Sequence, residues 1–353
     1  MQTQKLHPKF CINGRNLGQY DLVEVAYSYL KEGEPFEKEI GNFLLDWFDR
    51  SETLTVHTSG STGKPKAIPL KKEHMVNSAK ATGAYFQLRS GDTALLCLSA
   101  GYIAGKMMLV RAMVLGLDIY PVKPSAQPLE NLNKNVEFAA MVPMQVMNSI
   151  PSLDKIKTLL IGGAPLSSEL KNQLKECSTE AYETYGMTET ITHIAVRRLQ
   201  EEYFRALPNV TLSQDERACL VIHAPLVSTA RVRTNDVVKL IAEEQFKWLG
   251  RFDNVINSGG VKLYPELIEE KIGAYLKMPF FVIGFPDNQL GEKLILVVET
   301  NRSVIEISTI LKSVTQLGPY EIPRKILGLT NFVRTQNGKI RRNKSLQKAL
   351  EKD

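Results

Sequence analysis

The stretch 53-TLTVHTSGSTGKPKAIPL-70 decides how this chain is read. It opens on an alternating run rich in β-branched residues, Thr53 to His57, which predicts a strand. Eight residues follow, Thr58 to Pro65, four of them Ser or Thr and two of them Gly, and Lys64 and Lys66 close the run. Glycine lets a backbone turn tightly and come close to a ligand. Successive exposed N–H groups make an anion-binding concavity, and hydroxyls and ammonium groups add donors and charge. Thr58, Ser59, Gly60, Ser61, Thr62, Gly63, Lys64 and Lys66 are therefore candidate ligands for a triphosphate. The glycine spacing is neither that of GxxxxGKS/T nor that of GxGxxG, so a third kind of phosphate loop is implied. Taken by itself, the run fits a Ser/Gly-rich hairpin or linker equally well.

Outward from this loop, the segments before it, near 21-DLVEVAYSYL-30 and 38-KEIGNFLLDWF-48, have amphipathic helical patterns but no evident chemistry. After it, residues 71–88 place Met75, Ala79, Thr82 and Phe86 on one helical face. Strand-like and helix-like segments then alternate. Strands are expected at 93–98, 117–122, 136–142, 158–163 and 180–186. Helices are expected near 103–115, 143–150 and 167–177. Such alternation predicts an α/β domain with a mostly parallel sheet covered by helices, and ligands at the carboxyl ends of the strands. The phosphate loop, the 162-GGAP-165 turn and the 185-YGMTET-190 turn would all be loops of that kind.

Composition changes after about Gly250. A polar, Gly-containing segment, 251-RFDNVINSGGVKLYP-265, leads into a compact α+β pattern of about a hundred residues, which is domain-sized. Helices are expected at 266–276 and 304–317, and strands at 279–285, 293–300 and 325–332. The division is placed at Asp253, giving a large layered domain over 1–252 and a small, mobile one over 253–353.

At 353 residues, 43% apolar and 23% charged, the chain has the composition of an ordinary globular protein. Arg334 to Asp353 carry seven Lys/Arg and two Asp/Glu, which accounts for five of the six net positive charges. A basic end of this kind serves a nucleic-acid tail, a solvated helix or an anionic ligand. No aromatic residues interleave it, so nucleic acid is not expected. The four cysteines are far apart with no CxxC pair, which argues against zinc and for a reducing, cytoplasmic setting. MQTQKLHPKF has no apolar core of a signal peptide, and the apolar segment 101–120 is broken by Lys106, Arg111 and Asp118, so membrane insertion is not expected.

Three further motifs carry chemistry. In 185-YGMTETITH-193, a carboxylate flanked by hydroxyls at a strand–helix turn suits a hard cation through Glu189, with Thr188 donating to a phosphate and Tyr185 against a base. A plain helix N-terminus capped by Thr188 has the same letters. In 234-TND-236 and 250-GRFDN-254, Asp236 precedes a strand, as turn residues often do, and Arg251 fits a surface ion pair. In 337-NGKIRR-342, Lys339 reads as part of a basic turn.

Together, T-S-G-S-T-G-K-P-K, Y-G-M-T-E, T-N-D, G-R-F-D and N-G-K-I stand in the order found in the adenylate-forming enzymes, the acyl-CoA synthetase and luciferase superfamily, which the chain resembles from Thr58 to Lys339. The resemblance implies phosphate contacts from the 58–66 loop and Thr188, and Mg²⁺ on Glu189. It implies adenine and acyl contacts from Gly162, Gly163, Ala164, Tyr185 and Gly186, and ribose contacts from Asp236 and Arg251. Lys339 would bridge the acyl carboxylate and the α-phosphate, where two anions must meet. The small domain would swing about Asp253 between adenylation by ATP and transfer of the acyl group to coenzyme A. Two positions depart from the pattern, Ala67 and Asn235, each where the superfamily has glycine.

The segment 141-MVPMQVM-147 is similar to the V-P-x-Q segment of the o-succinylbenzoate–CoA ligases of menaquinone biosynthesis. The chain is also shorter before its phosphate loop than most of the superfamily. In 102-YIAGKMMLVRAMVLG-116, Tyr102 to Gly105 replace the usual His-x-x-Gly of the acyl pocket. Lys106, Arg111 and His193 are candidates to meet a second carboxylate on the acid, against surface or helix-pairing roles for each. The expected activity is an AMP-forming acid–thiol ligase acting on small molecules. Activation of another aryl or fatty acid, loading of a carrier protein, and non-catalytic nucleotide sensing are the alternatives.

Overall fold

A computed structural model describes residues 6–58, 66–301, 303–334 and 340–351. At its centre lie parallel strands in the order Asp118–Pro121, Thr93–Leu96, Val136–Met141, Ile156–Ile161, Glu180–Gly186. Cys11–Ile12 extends them in parallel, and Arg15–Asn16 ends that edge. These strands are near-continuous apolar runs because helices cover both faces, as burial on both sides requires.

The expectation of a mostly parallel sheet holds only for this half. Beyond Glu180–Gly186 come His193–Arg198, Phe204–Ala206, Gln245–Arg251, Val232–Ala242, Cys219–His223 and Thr211–Gln214, each antiparallel to its neighbour. The α/β class stands, and the 13-stranded sheet as a whole is mixed. The reason is connection length. The segment 187–192 holds only a short turn, which permits a hairpin return, whereas a parallel crossover needs about a dozen residues or more.

The 53–70 stretch is also placed differently from expectation. Thr53–Thr58 and Lys66–Lys71 pair with each other, Thr58 opposite Lys66, in a separate two-stranded sheet. Thr53–Thr58 thus ends as one arm of an antiparallel pair and not as a strand of the parallel sheet. Leu54, Val56 and Leu70 bury one face of the hairpin in the main core.

Helices Lys72–Phe86 and Ile103–Leu115 pack together on the sheet. Ile103–Leu115 is buried from Gly105 to Met113, so it reads as apolar all round, with Lys106 and Arg111 as the exceptions. Helices Gln19–Glu32 and Pro35–Phe48 form an antiparallel pair, and Phe43, Leu44 and Trp47 enter the same core. Pro143–Met147, Ser168–Leu174 and Val304–Lys312 are shorter than expected.

No strand after Arg251 joins the large sheet among the described residues. Val261–Leu263, Ile256–Ser258, Gly291–Glu299 and Phe280–Asp287 form a second sheet, with Lys325–Leu329 parallel to Gly291–Glu299. Helices Pro265–Gly273, Val304–Lys312 and Arg342–Leu350 flank it, and two small apolar clusters fill it. Helix Pro265–Gly273 meets Ser168–Leu174 of the larger body through polar groups. Lys171 Nζ pairs with Glu270 at 2.7 Å, Lys277 Nζ with Glu169 at 3.4 Å, and Ser168 Oγ donates to the Glu270 carbonyl at 3.4 Å. Among the described residues, no helix is long and apolar enough to cross a membrane.

Candidate active site

The carboxyl ends of Val136–Met141, Ile156–Ile161 and Glu180–Gly186 open onto a cavity of about 240 Å³. Gly162, Gly163, Gly186 and Thr188 line one part of it, and Ile103, Ala104, Arg111, Thr192 and His193 line another. The GGAP turn and the YGMT segment therefore border the same cavity as the two buried basic residues.

Two glycines are required by local geometry. Gly163 has φ +87°, which side-chain-bearing residues rarely adopt. A Cβ on Gly186 would stand 2.3 Å from the Thr192 carbonyl oxygen, because the returning strand crosses close behind it. The turn between the strands is a single 3₁₀ turn, Thr188–Thr190, and not the helix start that its letters suggested. Ile191 follows at φ +66°, a strained setting for a β-branched residue. Thr190 Oγ1 ties the turn by accepting from the Met187 N–H at 3.1 Å and donating to the Thr192 carbonyl at 2.9 Å. Thr188 borders the cavity, while Glu189 is exposed.

Tyr185 is half-buried, edge-on to Phe246 and tilted against Phe204. Its hydroxyl donates to Asp236 Oδ2 at 2.7 Å. Burial, with the Asp236 carboxylate adding to it, raises the phenol above its usual value, so it stays a donor. Asp236 lies within the strand Val232–Ala242 rather than before it. Its Oδ1 accepts from Trp248 Nε1 at 3.2 Å, and Arg251 Nη1 lies 3.7 Å away on the paired strand. A carboxylate accepts about four hydrogen bonds, so two places remain. Arg251 also reaches Asp253 at 3.2 Å, and Asn235 donates to Asp253 at 3.4 Å. Arg217, held by Asp215, donates to Asn235 Oδ1 at 3.0 Å. Asn235 thus supplies a side-chain contact to Asp253 that glycine would lack.

Arg111 is 2% exposed in the middle of its helix. Its Nε donates to Thr82 Oγ1 at 3.4 Å, and its Nη2 lies 3.3 Å from Thr192 Oγ1 and 3.4 Å from His193 Nδ1. Burial lowers the guanidinium to about 10, still a cation at neutral pH. Burial, with Arg111 beside it, pushes His193 well below its usual value, so the imidazole is neutral. Lys106 does not line the cavity. It points to helix Pro35–Phe48, with Nζ 5.4 Å from the Phe43 ring centroid. Burial lowers its pKa against the pull of Asp46 and Glu39.

Ser59, Gly60, Ser61, Thr62, Gly63, Lys64 and Lys339 lie outside the described residues. Lys66 is exposed at the start of its strand, and Gly163 and Ala164 are exposed, Gly163 on the cavity lining. Three residues at the site escaped the sequence reading. Thr82 looked like a core residue, Thr192 had no motif, and Trp248 gave no signal beyond lying near Arg251. Among the described residues there is no group of three or more His, Cys, Asp or Glu able to hold a metal by itself.

Comparison with known proteins gives the class. The description of AMP-binding enzymes matches residues 42–218, half of the chain, and the chain belongs to that family. A 2-succinylbenzoate–CoA ligase from Listeria monocytogenes is 27% identical over 91% of this chain and 74% of its own length. The crystal structure of an acyl-CoA synthetase (AMP-forming)/AMP-acid ligase II-like protein from Dyadobacter fermentans shares 34% identity, covering 94% of this chain and 99% of that one, with a TM-score of 0.63. The o-succinylbenzoate coenzyme A synthetase from Bacillus subtilis, in complex with ATP and magnesium ion, shares the fold at 20% identity and a TM-score of 0.71, over 94% of this chain and 82% of that one.

Proposed function

We propose that the chain activates an aromatic dicarboxylic acid, 2-succinylbenzoate, with ATP and passes the acyl group to coenzyme A in the cytoplasm. The observation that carries this reading is Arg111. It is a buried cation on the wall of a cavity that also touches the GGAP and YGMT segments, and among the described residues only neutral groups hold it. A cation placed there at the cost of desolvation invites an anionic group from the ligand. The name of the Listeria relative supplies an acid of fitting charge.

In the first half-reaction a carboxylate oxygen of the acid attacks the α-phosphorus of ATP and pyrophosphate leaves. The 58–66 loop would hold the phosphates, with Thr58, Ser59, Gly60, Ser61, Thr62, Gly63, Lys64 and Lys66 as donors, and Thr188 would donate to the α-phosphate. Gly162, Gly163, Ala164, Tyr185 and Gly186 would border adenine and the acyl group. Asp236, with two acceptor places open beside Tyr185 and Trp248, would take the ribose hydroxyls, and Arg251 would reach ribose and phosphate. A single exposed carboxylate fits Mg²⁺ arriving with a triphosphate, since this ion keeps much of its shell from water and phosphate. Glu189 would hold it, and it would neutralise phosphate charge. Lys339 would offset the repulsion between the two anions. The units 1–252 and 253–353 would then change orientation about Asp253, admitting the thiol, which attacks the acyl carbon and expels AMP.

Pyrophosphate release from a panel of acids, with and without coenzyme A, tests the reading. We expect release with 2-succinylbenzoate and ATP, and sustained turnover only when coenzyme A is added. Preference for a monocarboxylic fatty or benzoic acid, or turnover only with a carrier protein, would overturn the assignment of the acid or of the acceptor.

A further inference from the structure

A guanidinium buried with no counterion among the described residues is held there by neutral groups. One arrangement satisfies every contact around Arg111, including the 3.5 Å approach of Thr192 Oγ1 to His193 Nδ1. Guanidinium has donors only, so His193 Nδ1, 3.4 Å from Arg111 Nη2, must be an acceptor. A neutral imidazole then carries its proton on Nε2, which faces Thr82 Oγ1 at 3.3 Å. Thr82 spends its own proton on the Ser78 carbonyl at 3.0 Å. Its oxygen accepts both His193 Nε2–H and Arg111 Nε–H, the latter at 3.4 Å. Thr82 comes from helix Lys72–Phe86, Arg111 from helix Ile103–Leu115 and His193 from the strand His193–Arg198. Three elements thus converge on one directed chain of hydrogen bonds behind the cavity wall. Protonating His193 would set two cations against each other at the buried Nη2–Nδ1 contact and leave Nδ1 without an acceptor role.

We propose that His193, locked by Thr82, is a positioning residue for Arg111: it fixes the guanidinium on the cavity wall as the anchor for the second carboxylate of the acid and adds no charge of its own. This rests on the reading of the acid given above and deepens it. Selectivity for a diacid over a monoacid would then depend on an uncharged side chain that acts through its neighbour.

The test compares kcat/KM for 2-succinylbenzoate with that for its monoester masked at the carboxylate that is not adenylated. The variants are His193→Leu, His193→Gln and Arg111→Ala, each checked by thermal melting. Leucine removes the acceptor from behind Arg111, and we expect the preference for the diacid to fall about tenfold or more, chiefly through KM. Glutamine offers one acceptor and one donor and should restore most of the preference. Thr82→Val and Thr82→Ser repeat the contrast from outside the cavity, with loss expected for valine and retention for serine. Equal effects of leucine and glutamine, or an equal fall for both acids, would overturn the inference. Loss of preference in Arg111→Ala without loss in His193→Leu would overturn it and spare the reading of the acid. Unchanged preference in Arg111→Ala would overturn both.

Discussion

Replacing Arg111 by methionine should make the protein more stable and a poorer binder of its acid. Burial brings the guanidinium from its ordinary 12.5 to about 10. At about 1.4 kcal/mol per tenfold, keeping the charge out of water costs about 3 kcal/mol. Below about pH 10 the group is charged in both the folded and the unfolded chain, so the cost is present in full at neutral pH. Methionine fills similar space without it. Against this gain, His193 Nδ1, Thr192 Oγ1 and Thr82 Oγ1 each lose a donor, at about 1–2 kcal/mol in all because Thr82 keeps its contact with His193. The net gain is about 1–2 kcal/mol, or a few degrees in melting temperature for a body of this size. Binding moves the other way, since a lost hydrogen bond to a charged group is worth about 1.5–3 kcal/mol, or about 10–100-fold in KM. Denaturant melts and pyrophosphate-release kinetics on the same two samples measure both. A variant that is less stable than the parent, with KM for the diacid unchanged, would refute the reasoning at both steps.

Lys339→Ala should slow adenylate formation by about 10²–10³-fold while sparing thioester formation from a preformed adenylate. Equal losses in the two half-reactions, measured by rapid quench, would count against its role. Gly186→Ala places a Cβ 2.3 Å from the Thr192 carbonyl oxygen and should cost about 1–3 kcal/mol in a denaturant melt, with lowered turnover. An unshifted midpoint would show that the returning strand has room. His193 is neutral in the fold and takes up a proton on unfolding below pH 6.5, so the unfolded chain binds more protons there and stability falls on acidification. Its share of that fall is at most about 1.4 kcal/mol per pH unit, and His193→Gln should remove it in melts compared at pH 5 and pH 7.

Much of the parallel half of the fold was legible because its local signals agree. The helix Ile103–Leu115 ends where Gly116 follows, and the strands Val136–Met141 and Glu180–Gly186 are short apolar runs between turn residues. The antiparallel half was not, because register and partner are set by hairpins at a distance. Phe204–Ala206 and Thr211–Gln214 are too short to show a period. The letters of Thr53–Thr58 say nothing about its partner and so do not separate a hairpin from a strand of the main sheet, and Pro69 in Lys66–Lys71 obscures that strand. At the site, the basic residues of the apolar helix stood out, but their directions did not. Lys106 and Arg111 are five residues apart, about 140° around a helix, so both cannot face one cavity. That phase was available from the sequence, whereas the hydroxyl of Thr82 behind Arg111 was not, since nothing local distinguishes a satisfied core threonine from one that orients a neighbour.

The polar meeting of helix Pro265–Gly273 with helix Ser168–Leu174 bears on how readily the smaller body could change its seat. Ion pairs such as Lys277–Glu169, with both partners more than half exposed, are worth little in water and are screened by salt. A seam fastened this way gives up little when it opens. Ionic strength, rather than temperature, should then be the handle that shifts its population between closed and parted.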